Sequence, residues 1–281
     1  MPTFPAPDQV SLHYDVHGDG PPLVAIAGGA ACHPSYLGDL AGLPRRLIVP
    51  HLRGVGLSPA PDEPEKGAYW RQAADIDALR EHLGLERLVL TGHSAGTRLA
   101  ISYAAQYPER IERLLLITPP LEPPGYLVDV PSDADALIEA RRVEPEFSAA
   151  LAAREAGPDL SDEETSAAKF NEWQRACAPF GYAAWTAVEQ DHARTMHYYL
   201  PAARAYFSVD PPADLAERLS AVRAPVLVIG GAQDCTTGIA PVMTLARLFP
   251  AGDVVMLDRC GHFPWVERPA EFRQAAETFL G

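Results

Sequence analysis

The stretch that most limits how this chain can fold is Gly92-His93-Ser94-Ala95-Gly96. Before it, Leu88-Val89-Leu90-Thr91 is a short apolar run of the kind that forms a buried strand. After it, residues 97–107 hold good helix formers and stop at Pro108. A strand must therefore become a helix across a single pentapeptide. A turn that sharp strains the backbone of the central serine, and a β-carbon two residues away on either side would strike the neighbouring strand and helix. Glycine at 92 and 96 removes both collisions. Ser94 then stands at the carboxyl end of a strand beside the free N–H groups of a helix start, where the dipole favours negative charge. A nucleophilic serine needs those surroundings. A pattern this short also recurs by chance, so the rest of the chain decides its meaning.

Around the pentapeptide the hydrophobic pattern alternates between strand and helix. Strands are expected over 10–17, 23–27, 47–49, 88–91, 113–117, 225–231 and 253–257, and helices over 69–83, 97–107 and 269–280. Such alternation predicts an α/β fold, a mostly parallel sheet covered on both faces, with the ligand site at the carboxyl ends of the strands. Between 121 and 222 the rhythm changes. No buried strand is expected there, only helices over 134–142, 145–156, 162–176, 182–207 and 215–220, with Ser161 and Glu164 as a capping box. The chain thus divides into a core, 1–120 and 223–281, and an inserted all-helical lid, 121–222, whose two ends both leave the sheet above Ser94.

Composition narrows the partners. The 281 residues suffice for one domain with a large insertion. Lys and Arg number 23 against 37 acidic residues, a formal net charge of -14, which repels nucleic acid and anionic membranes. Residues 1–10 have neither a basic patch nor an apolar core, so no signal peptide is expected, and no stretch approaches the length of a membrane span. Cys32, Cys177, Cys235 and Cys260 show no metal or redox spacing and read as reduced thiols of a cytoplasmic protein. No metal or cofactor is expected, and the partner is a small-molecule or short-peptide substrate.

After the strand ending at Gly231 comes Ala232-Gln233-Asp234, and after the last strand Gly261-His262-Phe263-Pro264-Trp265-Val266-Glu267-Arg268-Pro269. In the order Ser94, Asp234, His262, with the Gly-x-Ser-x-Gly turn and that ending, the chain resembles the α/β-hydrolase superfamily over nearly all of its core. The resemblance implies an α/β-hydrolase fold with Ser94 as nucleophile, His262 as the base that takes and returns its proton, and Asp234 as the group that sets the imidazole tautomer. Asp258 is the alternative acid. The oxyanion hole would use the backbone N–H of Ala95 and one from Gly29 or Ala30. His93 is expected to pack, and Arg53, in His51-Leu52-Arg53-Gly54-Val55-Gly56-Leu57-Ser58, to pair ionically.

Three segments further resemble the proline iminopeptidase branch: the Gly28-Gly29-Ala30 loop running to Tyr36-Leu37, the turn over 53–58, and Ala184-Trp185-Thr186-Ala187-Val188-Glu189. That likeness implies that Glu189 binds the free amine of a substrate. Trp185, Trp173, Tyr182, Phe180 and, from the loop, His33 are further candidates for the pocket wall. The chain departs from the branch at Ala27, at the pentapeptide itself and near Ala203, where a second amine-binding glutamate would stand. An esterase, a lactonase or a carbon–carbon hydrolase of a small natural product, or a non-catalytic binding protein of this fold, therefore stays open beside the aminopeptidase.

Overall fold

A computed structural model describes residues 2–120 and 133–281, so residues 121–132, the start of the expected lid, lie outside the described residues. Eight strands, β1 (Thr3–Pro5), β2 (Ser11–His17), β3 (Pro22–Ile26), β4 (Arg46–Pro50), β5 (Leu88–His93), β6 (Ile111–Ile117), β7 (Val226–Gly231) and β8 (Gly252–Leu257), form one sheet in the order β1-β2-β4-β3-β5-β6-β7-β8. From β4 to β8 all neighbours are parallel, whereas β1 and β2 run antiparallel to each other and β2 to β4. The short edge strand β1 has too few residues to leave a period in the sequence.

The helices are α1 (Ala73–His82), α2 (Gly96–Gln106), α3 (Ala134–Arg141), α4 (Pro145–Ala156), α5 (Glu163–Cys177), α6 (Ala187–Arg194), α7 (Leu200–Tyr206), α8 (Leu215–Leu219), α9 (Ala240–Ala246), α10 (Pro264–Glu267) and α11 (Pro269–Leu280). Alternation along the central strands assigns their side chains to two cores. Val24, Ile26, Leu114, Leu116, Val226 and Val228 pack on one face with residues of α1, α2 and α9. Their neighbours Leu23, Ala25, Leu115, Ile117, Leu227 and Ile229 pack on the other with Phe272, Ala276 and Leu280 of α11. Side chains point to opposite faces at successive positions, and each fully buried Val, Leu or Ile contributes about 1.5–3 kcal/mol. Both faces therefore need a helical layer, and the strand ends are left open for a site.

Within the expected lid three details differ from the sequence reading. The helix expected over 182–207 is two helices, α6 and α7. Asn171 holds the extended link between them, donating to the Tyr198 carbonyl and accepting from its N–H at 2.9 and 2.8 Å, and a proline in the first turn starts α7. Asp162, not Ser161, caps α5 by accepting from the Glu164 N–H at 3.2 Å, while the Ser161 hydroxyl turns back to Asp159. Leu215 and Leu219 of α8 and Ala202, Ala203 and Tyr206 of α7 join the core that includes α2, so the end of the segment belongs to the layer under the sheet. Nearer the site, Phe147, Phe180, Ile138 and Ala150 make a small separate cluster with Cys235. Among the described residues no helix is long and apolar enough to cross a membrane.

Candidate active site

Ser94 lies between β5 and α2 with φ 51°, a left-handed conformation that side chains rarely adopt. Its N–H donates to the Ile117 carbonyl at 2.9 Å, which locks the turn onto β6. The glycine spacing acts as expected: a β-carbon at Gly96 would sit 2.5 Å from the Ala27 carbonyl oxygen, and one at Gly92 2.7 Å from that of Gly96. Ala30, Ala31 and Thr118, non-glycine residues with φ of 31°, 67° and 45°, surround the same point. Strain of this kind persists only where the surrounding structure over-determines it.

Asp234 follows β7 and His262 follows β8, and the structure brings them together. His262 Nδ1 donates to Asp234 Oδ2 at 2.7 Å. The Asp234 carboxylate is fully buried and also accepts from the N–H groups of Thr236 and Thr237 and, at 2.6 Å, from the Thr237 hydroxyl. Those donors fix its plane, so the imidazole it holds presents Nε2 to the cavity that Ser94 and His262 both line. Asp258, the alternative acid, is exposed at the end of β8. The acid and histidine loops are tied to each other by Gln233 N–H to the Cys260 carbonyl at 2.8 Å.

A second line of hydrogen bonds runs beneath the serine. The Gly28 N–H donates to Tyr36 Oη at 2.6 Å, Tyr36 Oη lies 2.7 Å from His93 Nδ1, and His93 Nε2 lies 2.9 Å from the His262 carbonyl oxygen. A main-chain donor at one end and a main-chain acceptor at the other leave one polarity. Tyr36 donates to Nδ1, and neutral His93 donates from Nε2. Burial, and then the His262 imidazole beside it, holds His93 well below the usual histidine range; burial keeps the Tyr36 proton on its oxygen. Nothing in the sequence distinguishes this role of His93 from plain packing, because Tyr36 reaches it from a distant loop.

Above the serine is a cavity of about 840 Å³. Gly29, Ala30, Ser94, Ala95, His262 and Trp173 line it, as do Phe180 and Tyr182 from the helical segment. Among the described residues the Ala95 and Ala30 N–H groups meet no acceptor, which leaves both available to an oxyanion. Three expected wall residues lie elsewhere. Glu189 is the capping residue of α6: its carboxylate accepts from the Thr186 N–H and hydroxyl, at 2.8 and 2.5 Å, and is buried away from the cavity. Trp185 packs beside Tyr182 in the core that includes α11, and His33 turns to Ser35 and the His51 ring. Cys235 reaches the cavity and Cys260 does not. Arg53 forms paired hydrogen bonds with both Asp75 and Asp8, remote from the serine chemistry.

The sequence reading missed Arg98, which lines the cavity while only 4 % exposed. It also missed Arg154, Arg175 and Arg204, which reach the same cavity from α4, α5 and α7. Arg98 stands four residues after Ser94, one helical turn on, and that spacing is the signal that points to it.

Comparison with known proteins identifies the fold family. A family profile described as the alpha/beta hydrolase fold matches residues 21–269. N-formylmaleamate deformylase of Pseudomonas putida is 28% identical, over 94% of this chain and 93% of its own. Proline iminopeptidase of Lactobacillus helveticus is 39% identical, but over only 34% of this chain and 35% of its own. Among solved structures, a thermophilic esterase from Thermogutta terrifontis superposes with a TM-score of 0.68 at 23% identity, covering 99% of this chain and 97% of that one.

Proposed function

The chain belongs to the alpha/beta hydrolase fold family, and from that premise we propose that it is a serine hydrolase of a small ester, working without a cofactor. The observation that carries this reading is the 2.7 Å bond from His262 Nδ1 to the buried Asp234 carboxylate, with Ser94 on the same cavity. His262 Nε2 takes the Ser94 proton as Oγ attacks the carbonyl carbon. The oxyanion is met by the N–H groups of Ala95 and Ala30, each such donor supplying about 3–4 kcal/mol in the transition state. His262 then protonates the leaving group, and water, activated by the same imidazole, releases the acid and restores Ser94. Asp234 stays ionised and holds the imidazole in the tautomer that makes Nε2 the base.

The aminopeptidase reading has lost its anchor. An ammonium in an apolar cavity needs a partner charge, yet Glu189 is committed to capping α6, and among the described residues no carboxylate lines the cavity. The likeness to proline iminopeptidase covers only 34% of this chain, and the proposed chemistry is that of an esterase or lactonase. A panel of 4-nitrophenyl acyl esters against proline and alanine 4-nitroanilides tests it. Turnover of the esters with kcat/KM at least about 100-fold above either anilide is expected, a gap within the range of one lost polar anchor. Preference for the proline anilide would restore the aminopeptidase.

A further inference from the structure

The charges on the cavity wall are the reverse of those of the chain. The protein has 37 acidic residues against 23 Lys and Arg. Yet the charged residues among the described cavity lining are four arginines, Arg98, Arg154, Arg175 and Arg204, with no Asp or Glu. They occupy two depths. Arg98 is on α2, one turn beyond Ser94, almost wholly buried, and its guanidinium lies 5.7 Å from the centre of the Phe207 ring. Arg154, Arg175 and Arg204 are exposed and come from α4, α5 and α7, whose residues form the outer wall. Among the described residues Arg154 lies 3.9 Å from Asp135.

We infer that the substrate of this site is an anion: an ester bearing a carboxylate remote from the bond that is cut. The carboxylate is held by the Arg98 guanidinium, and approach is steered by the arginines at the mouth. The inference rests on the serine-hydrolase reading above and names the class of molecule that reading takes. Arginine stays charged at every working pH, and its planar fork matches a carboxylate with two parallel hydrogen bonds. In a largely apolar cavity that pairing is stronger than at a surface. Exposed arginines at an entrance contribute little to affinity, but they concentrate anions against the repulsion of a net charge of -14. An ammonium-bearing substrate meets only repulsion along this wall.

Two esters of equal chain length separate the charge from the rest: 4-nitrophenyl hexanoate and the mono-4-nitrophenyl ester of adipic acid. The expected result is a kcat/KM for the adipate monoester at least about 10-fold above that for hexanoate, falling as salt is raised, because screening acts on the steered approach. Arg98→Met is expected to lower the adipate-to-hexanoate ratio by about 30-fold or more, the lower end of what losing one partner of a buried charge pair costs. The exposed double variant Arg175→Gln with Arg204→Gln covers the case in which Arg98→Met fails to fold. It is expected to flatten the salt dependence for the adipate monoester and to lower the same ratio by a few-fold. A wild-type ratio near one, or a ratio unmoved by these substitutions, overturns the charge preference and leaves the hydrolase reading intact. Failure to cleave either ester overturns the reading beneath it, and the preference with it.

Discussion

His93 shows how a residue next to a nucleophile can matter through the loops it joins. Its two ring nitrogens link Tyr36, which holds the Gly28 amide of the loop after β3, to the carbonyl of His262. Two loops that must keep register across the serine are thereby joined by one buried, directional chain. Tyr36→Phe removes the central hydroxyl and strands the Gly28 N–H and His93 Nδ1 together. The expected cost is about 1–3 kcal/mol of stability for each buried group left unpaired, read as the fall in urea-unfolding free energy. A drop in kcat should accompany it, because the hydroxyl that positions both the Gly28 amide and the His93 ring is lost. Unchanged stability and kcat would show that the chain carries no load. Ser94, Asp234 and His262 were legible in the sequence because each sits in a local motif at a strand end. Tyr36 was not, since its partner lies 57 positions away, and Glu189 was misread because a carboxylate three residues after Thr186 serves equally well as a helix cap.

Glu267 stands at the end of α10 and bridges two elements, accepting from the Ala183 N–H at 2.5 Å and the Gly261 N–H at 2.6 Å. It thereby pins the helical segment to the histidine loop, a link reinforced where the His262 N–H meets the Gly181 carbonyl at 2.8 Å. Burial raises its pKa from 4.5 to about 7 against the pull of those amides. The sign follows from linkage. The folded protein binds this proton more tightly than the unfolded chain, so the contribution is full below pH 4.5 and is lost as pH rises through about 7. Glu267→Gln cannot titrate and cannot accept at both amides. Urea unfolding at pH 5 and pH 8 should find the variant less stable at both, with the gap to the wild type narrower at pH 8. A gap that widens with pH would mean that Glu267 is stabilised as the anion. The order of strands and helices was readable because buried runs and helical periods are local. The break between α6 and α7 and the docking of α8 on α2 were not, since the first depends on Asn171 reaching across to Tyr198 and the second on a face that only tertiary packing fills.

Taken together, the molecule is an acidic α/β body whose strand ends open into an arginine-rimmed apolar cavity above a strained serine. The alternating strands made the fold legible, because a sheet apolar on both faces has few ways to be covered. Of the cavity wall, Trp173, Phe180 and Tyr182 were legible as aromatics of the helical segment; the four arginines were not, because they come from α2, α4, α5 and α7, which meet only once the chain has folded. Everything proposed for the chemistry passes through Ser94. A fluorophosphonate probe reacts with an activated serine, and peptide mapping by mass spectrometry locates the adduct. The account predicts one adduct, on the peptide containing Ser94. It also predicts that Ser94→Ala abolishes labelling and lowers kcat on 4-nitrophenyl esters by about 10⁴-fold or more, with a thermal unfolding midpoint like that of the wild type. An adduct on another residue, or ester turnover that survives in a folded Ser94→Ala protein, would contradict it.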